Sequence, residues 1–245
     1  MRKLIILSLL AISLVSCQFS ETMVMNQDGS GIIKITVNLS KMMALGGKTL
    51  SDSAPMKIDT IINIKQFLEE KKDSISKLSA AEQHKLKKLK NFDIEMKINS
   101  ETSELIYDIS TKFNDISQAN NMLNGLEQVG NILPHIDSNT KVKKEEDSPE
   151  VVGVNYSFEK GVFKRDAYII DEKLHQEQTD SLEKVTTFME GSNYTLNYTF
   201  PKRIKKVSNP DATFSADKKT VIVIKPFIEY LKNPDVLDLE VELEK

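Results

Sequence analysis

Glu21-Thr22-Met23-Val24-Met25-Asn26-Gln27-Asp28-Gly29-Ser30-Gly31-Ile32-Ile33-Lys34-Ile35-Thr36-Val37-Asn38-Leu39 is the stretch from which the fold is read. Ile33, Ile35, Val37 and Leu39 alternate with Lys34, Thr36 and Asn38, the two-residue period of a strand with one buried face. Gln27-Asp28-Gly29-Ser30 separates it from the segment that begins at Glu21, and Asp-Gly reaches the positive φ that a tight reversal requires. A β-hairpin over residues 21–39 follows.

The same alternation recurs along the chain. Residues 58–64 are apolar enough for a short strand; Phe92, Ile94, Met96 and Ile98, then Leu105, Tyr107 and Ile109, flank a turn at 101–103 and predict a second hairpin. Val152, Val154, Tyr156 and Phe158 lead through Gly161 to a returning strand over 162–170. Tyr194, Leu196, Tyr198 and Phe200 predict another strand. So do 221–224, after the turn Ala216-Asp217-Lys218-Lys219, and Leu237, Leu239, Val241 and Leu243.

Between strands the period becomes helical. Phe67, Leu68, Ile75 and Leu78 share one face, and Ser79-Ala80-Ala81-Glu82 is a capping box opening a second helix that carries Leu86 and Leu89. Ser117 is the expected N-cap of a helix bearing Met122, Leu126 and Val129, closed by Gly130; residues 180–190, with Leu182, Val185 and Phe188, predict a further helix. Hairpins separated by helices predict an α+β fold, with antiparallel hairpins forming one or two sheets packed by amphipathic helices. Residues 134–150, polar and centred on Lys143-Lys144-Glu145-Glu146-Asp147, are the expected flexible loop or internal boundary of a body spanning 17–245.

Residues 1–16 have a different purpose. Met1-Arg2-Lys3 is positive, and residues 4–15 are apolar but too short to cross a ~30 Å hydrocarbon layer as a helix, the pattern of a signal peptide. Leu14-Val15-Ser16-Cys17 resembles the lipobox of bacterial lipoproteins, in which the cysteine is acylated and becomes the new N-terminus. That resemblance implies cleavage after Ser16, lipid on Cys17 and membrane attachment through it; several acyl chains make such attachment effectively permanent. Gln18-Phe19-Ser20-Glu21 has neither an aspartate beside the anchor, as in inner-membrane retention signals, nor an acidic run, as in surface-export signals of Bacteroidetes. The expected location is the outer membrane, facing the periplasm. Cys17 is the only cysteine, so the body folds without disulfides.

The hairpin Met23-Val24-Met25-Asn26-Gln27-Asp28-Gly29-Ser30-Gly31-Ile32, directly after the lipobox, together with Phe67-Leu68-Glu69-Glu70-Lys71-Lys72-Asp73-Ser74-Ile75, resembles lipoproteins of Flavobacteria and, more distantly, the LppM-type lipoproteins of actinobacteria. The resemblance implies a β-rich envelope domain, with lipid interaction among its expected roles, and transfers no catalytic residue.

Recognisable chemistry is sparse. The formal charge of −3 gives nucleic acid nothing to bind globally. His84, His135 and His175 stand in separate segments outside any zinc pattern, and solvent exposure is expected of His84 and His175. His135 with Asp137 lacks a nucleophile elbow. Gly46-Gly47-Lys48-Thr49 imitates the tail of a phosphate loop but has Met42 where the first glycine belongs. Asn26, Asp28, Ser30 and Gly31 imitate a calcium loop, yet Val37 stands where the bidentate glutamate is needed, so the hairpin turn explains them. No cofactor is expected.

Two surface features carry candidate roles. Lys65, Lys71, Lys72, Lys85, Lys87 and Lys88 crowd the amphipathic helices, either as a solvated face or as a basic surface against anionic head groups. Ser53, in Asp52-Ser53-Ala54, resembles the O-glycosylation signal of exported Bacteroidetes proteins. The expected function is therefore non-enzymatic: an envelope lipoprotein with a binding or structural role toward a protein, glycan or lipid partner. The alternative is a periplasmic carrier or sensor of lipid or glycolipid, with Met- and Ile-rich positions lining a cavity.

Overall fold

The computed structural model describes residues 18–41, 43–44, 57–120, 122, 150–181, 189 and 191–245. Leu14, Val15, Ser16 and Cys17, Ser53, His135 and the expected boundary up to 149 lie outside them.

The opening hairpin is β1 (Gln18–Met25) and β2 (Gly31–Asn38). Its turn is held by the Asp28 carboxylate, which accepts from the Ser30 amide at 3.0 Å and the Ser30 hydroxyl at 2.6 Å, while Gly29 takes φ +84°. These contacts use the oxygens that imitated a calcium loop. Then follow β3 (Lys57–Asn63), α1 (Ile64–Glu70), α2 (Lys72–Ile75), α3 (Ala80–Lys88) and the second hairpin, β4 (Phe92–Asn99) and β5 (Glu104–Phe113). After 150 come β6 (Val152–Glu159), β7 (Val162–Ile169), α4 (Glu172–Ser181), β8 (Asn193–Thr199), β9 (Ile204–Val207), β10 (Thr213–Phe214), β11 (Thr220–Pro226), α5 (Phe227–Lys232) and β12 (Leu239–Leu243).

Two sheets result, eight strands in the order β10-β11-β8-β1-β2-β5-β4-β3 and four in the order β6-β7-β12-β9. The α+β architecture is as the sequence predicts. Pairing is antiparallel with one addition: β1 lies antiparallel to β2 and parallel to β8. Hairpin turns dictate the direction of local neighbours, but no turn joins β1 to β8, so their relative direction is not encoded locally.

The inner face of the large sheet presents Met23, Met25, Ile33, Ile35, Ile109 and Leu196 to Val154, Phe163 and Val241 of the small sheet. Phe163 meets Tyr198 and Phe200 edge-on, with ring centroids 5.4 Å and 5.3 Å apart. Burying such a ring stabilises by about 1.5–3 kcal/mol. The outer face mixes polar pairs with exposed apolar side chains: Lys34 pairs with Asp108 at 3.2 Å, Thr36 donates to Asp108 at 2.5 Å and Lys97 pairs with Glu95 at 2.7 Å, while Val24, Ile32, Ile61 and Ile224 stand exposed.

α1 starts where the Asn63 side chain accepts from the Gln66 amide at 3.0 Å, and α3 starts directly after Ser79. Ile75 and Leu86 form a separate cluster with Phe67, Leu68 and Leu78, the predicted apolar face. Two predicted helix starts need correction, although Met122 itself is helical as expected. Near Ser117 the described residues form a 3-10 turn, Ile116–Ala119, because the Asp115 carboxylate accepts from the Ser117 amide and hydroxyl, so Asp115 is the cap and Ser117 lies inside. Of the helix expected over 180–190, Asp180, Ser181 and Met189 are helical, and the helical segment Glu172–Ser181 starts earlier than expected, capped by Asp171 accepting from the Leu174 amide at 3.0 Å. Most of its side chains are polar, which hid it from an apolar period; residues 123–130, 182–188 and 190 lie outside the described chain.

Register also defines two ends. Gln18 pairs with Asn38 and Asn193, Asn38 with Ile106, Ile106 with Lys97, and Asn193 with Pro226, so these residues share one end of the large sheet. Asn63 and Phe92, between which α1 to α3 are inserted, lie at the other end with the turn after Met25.

Candidate functional site

Strand alternation brings a charged pair into the core. Glu21 has the parity of Met23 and Met25 on β1, so it points inward. Its register partner on β8 is Leu196, and Tyr194 and Tyr198 flank Leu196 on the same face. From the small sheet, Arg165 of β7 points back, with Tyr156 of β6 directly beside it in register.

These five side chains converge. Arg165 Nη2 donates to Glu21 Oε1 at 2.8 Å and Nε to Oε2 at 3.2 Å, a two-pronged pair whose side chains are both 0% exposed. The Tyr194 hydroxyl donates to Oε1 at 2.6 Å, the Tyr156 hydroxyl to Oε2 at 2.9 Å, and the Tyr198 hydroxyl also to Oε2. Arg165 Nη1 donates to the Leu237 carbonyl at 3.3 Å, just before β12. A carboxylate offers about four lone-pair sites, and all of its acceptor capacity here is used.

Burial alone would raise the Glu21 carboxyl; the Arg165 charge, its hydrogen bonds and the Tyr194 and Tyr198 hydroxyls outweigh it and hold the group below its ordinary value. Burial would likewise draw the Arg165 guanidinium down, and the Glu21 charge overrides that, keeping it well above its ordinary value. Burial, reinforced by the Glu21 charge, pushes the phenols of Tyr156, Tyr194 and Tyr198 well above the usual tyrosine range. The ionised pair and neutral phenols therefore persist across the neutral range. A carboxylate so saturated has no acceptor left for a substrate proton, and none of these groups reaches solvent, so the cluster fastens one sheet to the other.

The sequence reading singled out none of these residues as a site. Its signal was present: Glu21 and Arg165 occupy inward positions of strands, where an unpaired charge would be costly.

Of the residues that reading did single out, Lys65 and Lys72 are exposed on α1 and α2, Lys71 is half-buried between them, and Lys87 is exposed on α3, which also carries Lys85 and Lys88. His84 is exposed as expected. His175 corrects the expectation of exposure: on α4 its ring is buried, with Nε2 2.9 Å from the Leu231 carbonyl, because α4 packs that side against the end of α5. Glu69 and Glu70, adjacent carboxylates on α1, are exposed.

No protein-family model matches the chain, and no curated protein matches it. Among solved structures it is distantly similar to the folded domain of the LppM protein of Mycobacterium tuberculosis, determined by NMR. Identity is 7%, coverage is 93% of this chain and 89% of that chain, and the TM-score is 0.37. Nothing in these comparisons supports a flavobacterial origin.

Proposed function

We propose that the chain is an envelope lipoprotein, held in the outer membrane through acylated Cys17, whose two-sheet body has a binding or structural role and performs no chemistry of its own. The observation that supports the non-enzymatic part is the closure of the Glu21–Arg165 cluster, in which buried titratable groups satisfy one another completely. Catalytic acids and bases need a free lone pair or proton within reach of a substrate. The membrane part rests on Leu14-Val15-Ser16-Cys17 and the short apolar leader before it.

Between the described parts of the sheets, Tyr156, Phe163, Tyr198 and Phe200 pack ring against ring. That packing favours a solid body over a carrier holding lipid between the sheets. The partner class, protein, glycan or lipid headgroup, is left to experiment. Mass spectrometry of the N-terminal peptide from the membrane-extracted protein tests the proposal: an acylated Cys17 with residues 1–16 removed is expected, and an unmodified thiol or a retained leader overturns it. Turnover of generic esterase, peptidase or glycosidase substrates, abolished by one pocket substitution, would overturn the non-enzymatic part.

A further inference from the structure

The anchor and the sheet are covalent neighbours. Cys17 is followed immediately by Gln18, the first residue of β1, and β1 is an interior strand, hydrogen-bonded to β2 on one side and β8 on the other. No linker separates them. A flexible linker would let the body sample many orientations, whereas here the Cα of residue 17 is only about 3.8 Å from that of Gln18, and the Gln18 backbone is fixed in two ladders.

The strands beside β1 extend the constraint. β8 and β11 reach the same end on one side, and β2, β5, β4 and β3 reach it on the other. At about 4.8 Å per strand the sheet end extends about 10 Å and about 20 Å from the anchor. The β4–β5 hairpin goes further still: Ile106 and Lys97 lie level with Gln18, and the strands continue to Glu104 and Asn99 before turning through residues 100–103. Two residues of strand are roughly 7 Å, more than one residue of tether can span. The tip is firm, because Asn99 Oδ1 accepts from the Glu101 amide at 3.0 Å. Its side chains, Ser100, Glu101, Thr102 and Ser103, suit the hydrated headgroup layer and not the hydrocarbon.

We infer, resting on the Cys17 tether proposed above, that the domain stands upright on its membrane, with the Gln18 end of the large sheet and the 100–103 turn set against the lipid headgroups. Lying flat is disfavoured: the outer face exposes Val24, Ile32, Ile61 and Ile224 but interleaves them with the Lys34–Asp108 and Lys97–Glu95 pairs, and the small sheet covers part of the inner face. The 26–30 turn and α1 to α3 then project into the aqueous space, about 25 Å away along the eight residues of β1. That distal end is the part free to meet a partner.

The chain contains no tryptophan, so single-tryptophan variants report without background. The lipidated full-length Thr102→Trp, Gln27→Trp and Lys72→Trp proteins would be reconstituted in phosphatidylethanolamine–phosphatidylglycerol vesicles containing a lipid with a nitroxide on its headgroup. Loss of most of the Thr102→Trp emission is expected, with the other two unchanged. Inserting a ten-residue Gly-Ser linker after Cys17 is expected to restore that emission while flotation with the vesicles persists. Quenching of Gln27→Trp or Lys72→Trp in preference to Thr102→Trp overturns the orientation, as does a chain that floats with vesicles yet is quenched at none of the three. A chain that fails to float and bears no acyl group overturns the tether itself, and the orientation with it; flotation separates that result from the others.

Discussion

Arg165 Nη2 lies 2.8 Å from Glu21 Oε1 across the gap between two sheets, and neither side chain touches solvent. The residues are 144 positions apart in the chain, so the pair fixes how β1 and β7 face one another. Removing one member leaves the other charged in the core, which costs about 3–5 kcal/mol, while removing both is far less damaging. Glu21→Gln and Arg165→Met should therefore each lower the urea midpoint strongly, and the double variant should lose clearly less than the sum of the singles. Additive losses in that cycle would show that the two groups are not energetically coupled.

The same cluster gives stability a pH dependence at both limits. Glu21 is held below its ordinary value, first against burial and then by Arg165 and the tyrosines. A depressed carboxyl contributes stability that is present above the unfolded pKa, about 4.3, and is lost as pH falls through the lower folded value. The phenols of Tyr156, Tyr194 and Tyr198 shift the opposite way through burial and the Glu21 charge. Their contribution is complete below about pH 10, the unfolded value, and declines above it. Chemical denaturation across pH should show both slopes, and phenolate absorbance should rise together with unfolding for these three residues. In Glu21→Gln the acid slope should flatten; an unchanged acid slope would assign it to other carboxylates.

Two glycines sit inside strands for different reasons, and substitution should separate them. A Cβ on Gly31 would lie 2.3 Å from the Val24 carbonyl oxygen and 2.5 Å from the Phe113 ring. The first is backbone of the adjoining strand and cannot swing aside. On Gly153 the clash is with the tip of the Tyr168 side chain, at 2.3 Å, which can rotate. Gly31→Ala should destabilise by about 1–3 kcal/mol, the range for overpacking, and Gly153→Ala by less. Thermal melts that rank the two in reverse order would contradict this account.

Much of the fold was legible because strands and turns are written locally. Asp28 and Gly29 specify the first reversal, and alternation at Ile33 and Ile35, or Tyr194 and Tyr198, assigns inner and outer faces. The long-range pairings were not legible: β8 beside β1 joins segments more than 160 residues apart, with no local turn to impose direction. Glu21 and Arg165 follow from the same difficulty. Each breaks the apolar pattern of its own strand, and only the partner, invisible in the sequence, makes the break affordable. Polar α4 escaped for the converse reason, since its burial is confined to His175.

The position of α1 to α3 makes the last test. These helices leave β3 after Asn63 and return at Phe92, both at the end of the sheet remote from Gln18, and Lys65, Lys72 and Lys87 are exposed there. With the proposed tether at Cys17, next to Gln18, their charge faces the aqueous space. Contact with an anionic surface would be worth about 1 kcal/mol per lysine, enough to slow amide exchange in residues 64–88. In the lipidated chain, exchange over 64–88 should be the same on vesicles containing phosphatidylglycerol as on neutral ones, and the Lys65→Glu/Lys72→Glu/Lys87→Glu variant should exchange alike on both. Slower exchange on the anionic vesicles, abolished by the three substitutions, would instead place the basic helices on the lipid and reverse the orientation.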